Sequence, residues 1–265
     1  MKTITSRQNP IVDAFRELAD APDPSGRRLL LDGVHLVREA AAAKLDFEVA
    51  AITPAHLDAA TEEAAVADAL RADGIELLTV SEQVLAAMSP VRTPSGLVAI
   101  VRRPASTPSQ LFEPRNAFVL IVIDVHDPGN LGALVRAAEA GGATGVMVCG
   151  ASANPYGWKA IRGSMGSALR LPVVGGLAVD EALATVRQAG ARMIAAVARA
   201  GDDPDAINWS GRIALLLGGE GPGLTESVIQ ESDSRVTIPM ASPVESLNVA
   251  AAGAILIYAA RRQRQ

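Results

Sequence analysis

The sequence predicts an α/β protein in two parts, and three observations carry the prediction. Apolar runs of strand length alternate with amphipathic stretches of helix length along the chain, the pattern of strand–helix units. A Pro- and Ser-rich stretch with little hydrophobic periodicity, RRPASTPSQLFEP at 102–114, interrupts that alternation and reads as a linker. The chain has 265 residues, 49% of them hydrophobic and 20% charged, a globular composition too long for one ordinary domain and short for three. The division that follows is a first domain over 1–103, a linker over 104–114 and a second domain over 115–265.

In the first domain, residues 10–20 form an amphipathic helix with Ile11, Phe15 and Leu18 on one face. RRLLLDG at 27–33 is a buried strand with a turn, and 34–44 an alanine-rich helix. FEVAAI at 47–52 is a strand. Residues 54–72 read as one helix, stopped by Asp73-Gly74. IELLTV at 75–80 is a strand, Ser81 and Glu82 open another helix, and SGLVAIVRR at 95–103 is the last strand. The second domain begins with FVLIVIDV at 118–125, a continuous apolar run expected of a central parallel strand. HDPGN leads into the helix LGALVRAAEAGG, and GVMVC at 145–149 is the next strand. A helix within 158–168, the strand LPVV, a helix over 180–189 and the strand ARMIAAV follow. RIALLLGGEGPGL is a strand with a glycine-rich loop, 225–231 a short helix, RVTIPM a strand ending at Pro239, and 246–262 the closing helix.

Composition excludes several classes of function. A net charge of −5 argues against a histone-like protein that binds nucleic acid through its bulk charge. Lysine occurs only at Lys2, Lys44 and Lys159, so arginine supplies the cations; codon usage and phosphate recognition both explain such a bias. The single cysteine, Cys149, allows neither an intrachain disulfide nor a cysteine zinc cluster, and packing on its apolar strand accounts for it. The polar start MKTITSRQNP lacks a signal-peptide core, and the apolar run in the closing helix is too short to span a membrane, so the expected location is the cytoplasm.

Three segments at strand ends carry chemistry, because ligands of open α/β sheets bind at the carboxyl ends of strands. In DVHDPGNLGALVRAAEAGG, Asn130 either caps the helix or faces a cleft, and Arg136 is either a solvated helix residue or part of the same cleft. In LLLGGEGPGL, glycines surround Glu220, and Leu224 stands where a dinucleotide fingerprint needs its last glycine. In IPMASPVESLNVAAAGAILIYAA, Ser246 either caps the long helix or, with Asn248, serves a site. His126 is either a loop histidine or a base, and His35 and Arg38 either a solvated helix face or an RNA contact. Asp202, Asp203 and Asp205 form a run that Pro204 interrupts, with no partner suited to metal binding.

In order and density these three segments resemble the SpoU (TrmH-like) family of RNA ribose 2′-O-methyltransferases in the SPOUT superfamily. KAIRGSMGS at 159–167 resembles the family's R-x-S-x-G stretch, and the first half resembles its N-terminal RNA substrate-binding domain. The resemblance implies a parallel-sheet methyltransferase domain with a deep trefoil knot, preceded by a smaller α/β RNA-binding domain. It implies S-adenosylmethionine as cofactor, held by Leu217, Gly218, Gly221, Ile238, Met240 and Leu247, with no metal. It implies a catalytic set of Asn130, Arg136, Glu220, Ser246 and Asn248, and RNA contacts at Arg162 and Ser164. An arginine almost never gives up its proton, so Arg136 is better read as a clamp on a phosphate or a developing alkoxide than as a base. The implied partners are RNA, ribosomal in preference to transfer RNA, and a second copy of the chain packed through the closing helix. The competing readings are a transfer RNA ribose methyltransferase and a non-catalytic RNA-binding or assembly protein of the same fold.

Overall fold

A computed structural model describes residues 2–57 and 61–264. Two compact units emerge, Met1–Ala105 with Tyr156–Arg170, and Ser106–Pro155 with Leu171–Gln265.

The first unit opens with β1 (Lys2–Ile4), a strand too short to register as an apolar run. It continues through α1 (Pro10–Asp20), β2 (Arg28–Asp32), α2 (Val34–Ala42), β3 (Asp46–Ile52), α3 (Pro54–Leu57), α4 (Glu62–Ala72), β4 (Leu77–Val80), α5 (Glu82–Met88) and β5 (Leu97–Arg102). The sheet order is β1-β4-β3-β5-β2, with β5 antiparallel to both neighbours and the other pairs parallel. Side chains alternate across β2, so Leu29 and Leu31 pack under α2 and α4 while Leu30 packs with α1 and α5. On α1 the buried residues are Val12, Phe15 and Leu18; Ile11 is half-buried at the margin of the stripe. The single helix expected over 54–72 is two helices. The Thr61 hydroxyl accepts the Ala64 amide at 3.2 Å and starts α4 afresh. Residues 58–60 of that expected helix lie outside the described residues.

The stretch read as a linker is not free chain throughout. Ser109–Phe112 form a 3-10 turn, and Leu111 and Phe112 are buried in the core of the second unit. They are the stretch's two large apolar side chains, and their burial outweighs its polar composition. The chain continues through β6 (Phe118–Ile123), α6 (Pro128–Gly141) and β7 (Gly145–Cys149). Next come α7 (Trp158–Gly163) and α8 (Ser167–Arg170), which pack with the first unit: Ile161 and Leu169 join the core under α2. The remainder is β8 (Val173–Leu177), α9 (Val179–Gln188), β9 (Arg192–Ala196), β10 (Ile213–Gly218), α10 (Glu226–Gln230), β11 (Ser234–Val236) and α11 (Val249–Arg264). The second sheet is parallel throughout, in the order β11-β9-β10-β6-β7-β8. Its central strands β6 and β10 are buried along nearly their full length, as continuous apolar runs require. The last strand ends at Val236, not at Pro239.

The closing helix uses its small residues within the chain. A Cβ on Gly253 would lie 2.3 Å from Leu134 Cδ2, and one on Gly141 would lie 2.0 Å from Ile257 Cγ2, so α11 and α6 meet at glycine contacts. What α11 leaves exposed is a different stripe, Ala251, Ile255 and Tyr258. No helix among the described residues is long and apolar enough to cross a membrane.

Candidate functional site

The site grows from the carboxyl ends of β6 and β10, adjacent strands whose loops leave the sheet side by side. Just after β6, Asp124 is held at φ 57°, and its carboxylate accepts the Ala151 amide at 2.7 Å. Beyond it α6 begins. Its cap is Asp127, which accepts the Asn130 backbone N–H at 2.7 Å. Asn130 is therefore not the cap; its side chain is free for other work. The loop after β10 folds back on itself with Gly219 bridging Gly223. A Cβ on Gly218 would sit 2.2 Å from the Gly223 carbonyl carbon, and one on Gly219 would sit 1.8 Å from the Asp124 carbonyl oxygen. Both contacts are with backbone, so glycine is required at each.

Across this junction runs a directional chain of hydrogen bonds. Asn248 caps α11 by accepting the Ala250 and Ala251 amides at 2.9 and 3.2 Å, the role sequence reasoning offered to Ser246. With its oxygen so committed, Asn248 donates its NH₂ to Asn130 Oδ1 at 3.0 Å. Asn130 in turn donates to Glu220 Oε1 at 2.6 Å. Three loops distant in sequence are thus tied by two amides and a carboxylate. The Asn130 amide, aided by the backbone N–H groups of Glu220 and His126, holds the Glu220 carboxyl below the usual carboxylate range against burial and nearby Asp127.

Beside the relay lies a cleft of about 450 Å³. All six residues expected to hold a cofactor line it: Leu217, Gly218, Gly221, Ile238, Met240 and Leu247. Glu220, Ser246 and Asn248 line it as well. Sequence reasoning missed the contribution of the end of β9 and the residues after it: Ala196, Val197 and Ala198 also form the wall. Their signal was available, because ARMIAAV ends at the same edge of the sheet as the glycine-rich loop. Val249, Ala252 and Leu256 of α11 add further lining; they were legible only as helix core.

Other singled-out residues fall elsewhere. Arg136 is exposed on α6, two turns into the helix, and makes no hydrogen bond or ion pair with any described residue. Arg162 is exposed on α7 of the first unit. Ser164 is completely buried; its hydroxyl donates to Ile161 O at 2.7 Å and accepts the Ala168 amide at 3.2 Å. It joins α7 to α8 and has no surface to offer RNA, which corrects the expectation from the R-x-S-x-G stretch. His126 serves Glu220 through its backbone, and its ring stands exposed. His35 and Arg38 bond to each other at 3.1 Å, and Arg38 also pairs with Glu62. Asp205 pairs with Arg262 at 2.7 Å. Burial pushes the Cys149 thiol up to about 12, so it stays protonated and serves as packing. Among the described residues no three His, Cys, Asp or Glu side chains come together as a metal site.

This geometry meets its counterpart in known proteins. The SpoU rRNA Methylase family matches residues 117–258, more than half of the chain, and the MRM3-like substrate binding domain matches 24–99. An uncharacterized tRNA/rRNA methyltransferase from Synechocystis is 33% identical over 99% of this chain and 94% of its own. The Bacillus subtilis 23S rRNA (guanosine(2553)-2′-O)-methyltransferase RlmP is 29% identical over 97% of this chain and 98% of its own. The crystal structure of an AdoMet-bound rRNA methyltransferase from Sinorhizobium meliloti superposes with a TM-score of 0.84 at 28% identity, covering 98% of this chain and 97% of the other. The chain belongs to the SpoU rRNA methylase family.

Proposed function

We propose that the protein transfers a methyl group from S-adenosylmethionine to a ribose 2′-hydroxyl of structured RNA, with ribosomal RNA as the favoured substrate. The observation that carries this reading is the cleft itself, lined by the glycine loop after β10 and by residues of the segment 238–247, beside the Asn248–Asn130–Glu220 relay. The residues present fit the cofactor. Leu217, Ile238, Met240 and Leu247 offer apolar contact for a purine, the glycines admit close backbone approach, and the ionised Glu220 favours a cationic ligand. When bound, the cofactor supplies an electrophilic methyl carbon on a positively charged sulfur. The trefoil crossing belongs to the same proposal, supported by the two loops lining one cleft from either side.

The roles of the chain's own residues follow from their placement. Asn130, Glu220 and Asn248 fix the loops through the hydrogen bonds that tie them together. Ser246, exposed at the cleft and not needed as a cap, is available to the incoming ribose. Arg136 is exposed and unengaged by any described residue, so it clamps the phosphate next to the target ribose and stabilises the developing alkoxide with two parallel donors. Arg162 is a phosphate contact of the first unit. Assembly is through a second copy of the chain at the exposed Ala251–Ile255–Tyr258 stripe of α11, in the cytoplasm. The preference for ribosomal over transfer RNA is supported by RlmP, a 23S rRNA enzyme. Mass mapping of ribose methylation in total RNA, with and without the gene, is the test. Loss of one 2′-O-methyl group from ribosomal RNA is expected; an unchanged map overturns the reading.

A further inference from the structure

The segment 156–170 lies in sequence between two strands of the second unit yet packs with the first. Its helix α7 buries Ala160 and Ile161 against that unit's core and presents the opposite face outward. At about 100° per residue, Trp158, Arg162 and Lys159 fall within one arc of roughly 100°, facing away from Ala160 and Ile161. Trp158 is half-buried, and Lys159 and Arg162 are exposed. The Lys159 ammonium lies 5.4 Å from the Trp158 ring centroid.

The setting is unusual for this chain. Aromatic residues make up 3% of the sequence, and the other tryptophan, Trp209, is completely buried with its indole N–H bonded to Pro204 O. Several arginines of the first unit are held in ion pairs: Arg28 and Arg102 with Glu48, Arg38 with Glu62, Arg71 with Asp68, Arg170 with Glu39. Lys159 and Arg162 form no ion pair with any described residue. The anion that Arg162 feels is Asp32, whose carboxyl is itself pushed up by burial and bonded by the Ser89 hydroxyl at 2.6 Å. A ring with two cations free of ion pairs on its own helix face is the combination that holds an unpaired nucleotide, stacking the base and meeting its phosphates.

We propose that Trp158, Lys159 and Arg162 form a docking platform for an unpaired nucleotide of the RNA substrate, with Trp158 stacking a base and the two cations gripping the flanking phosphates. This rests on the RNA-methylating function proposed above. The test uses the full-length chain with two probes, a single-stranded oligouridylate long enough to span the platform and 23S ribosomal RNA from cells lacking the gene, alongside S-adenosylmethionine calorimetry. Trp158→Ala is expected to weaken binding of both RNAs about tenfold to a hundredfold, and Trp158→Phe to restore most of it. The exposed double variant Lys159→Gln/Arg162→Gln guards against misfolding. It should flatten the dependence of log affinity on log salt by about 0.7 per lost cation on the single strand. Cofactor affinity should stay at the wild-type value in every variant, since no cleft residue belongs to the first unit. Wild-type RNA affinity and salt slope in both variants overturn the platform alone. A wild-type protein that binds cofactor but neither RNA overturns the proposed function and the platform with it.

Discussion

Exchanging the charge along the Asn130–Glu220 contact is the sharpest probe of the relay. In Asn130→Asp the donor to Glu220 becomes a second carboxylate, 2.6 Å from the first in the wild-type geometry. Two unit charges at that distance repel by about 1.5 to 6 kcal/mol for effective dielectric constants between 80 and 20. The exposure of Glu220 places the cost near the lower end, about 2 kcal/mol. Adding Glu220→Gln reverses the direction of donation without losing a bond. The new amide at position 220 would donate to the new carboxylate at position 130. That carboxylate would still accept from Asn248, and the amide oxygen would still accept the His126 backbone N–H. Thermal unfolding and cofactor calorimetry on the four proteins of this cycle give the coupling, expected at about 2 kcal/mol, or roughly thirtyfold in an equilibrium constant. The pH dependence has opposite signs in the wild type and in Asn130→Asp. The wild-type Glu220 pKa is lowered in the fold, so its stabilisation is present above the unfolded value and lost as pH falls through the folded one. The two carboxylates of Asn130→Asp would share a proton with a raised pKa, so that variant's deficit shrinks on acidification. If Asn130→Asp costs the same with Glu220→Gln present as without it, and its deficit is flat with pH, the relay reasoning fails.

Arg136→Ala should lower single-turnover methyl transfer about a hundred- to a thousandfold while cofactor affinity holds, and Arg136→Lys should recover little, because a point charge cannot copy the guanidinium fork. Turnover near wild type would remove Arg136 from the chemistry. Gly218→Ala should weaken cofactor binding before it affects anything else, because its Cβ would meet the Gly223 carbonyl carbon at 2.2 Å and spread the loop; unchanged calorimetry would refute this. A truncated chain beginning at residue 114 should be less stable than one beginning at 106 by about 3 to 6 kcal/mol, because the shorter form leaves the sites of Leu111 and Phe112 empty. Equal denaturant midpoints for the two would show that the 3-10 turn contributes nothing.

Most elements of both sheets were legible in the sequence because their signals are local. FVLIVIDV reads as a central strand since only burial on both faces tolerates such a run, RIALLLG reads as a strand running into a glycine-rich loop, and Ser81 reads as a cap since its hydroxyl meets an amide three residues on. The six cofactor positions and Glu220, Ser246 and Asn248 came from the resemblance of three ordered motifs, and the fold brings all nine to one cleft. The tertiary structure alone decided matters that depend on distant partners. Asn130 was open between capping a helix and facing a cleft, and the choice was made by Glu220 and Asn248, which lie 90 and 118 residues away in sequence. Ser164 was implied as an RNA contact by the resemblance, but it is completely buried and its hydroxyl closes the turn between α7 and α8. The closing helix was expected to meet a second copy; within one chain its Gly253 meets Leu134 and its Ile257 meets Gly141 of α6, leaving Ile255 and Tyr258 outward. A residue's type and spacing state what it can bond to and how far it reaches. Which of those bonds forms depends on the groups that folding carries within about 3 Å, and neither spacing nor composition encodes that.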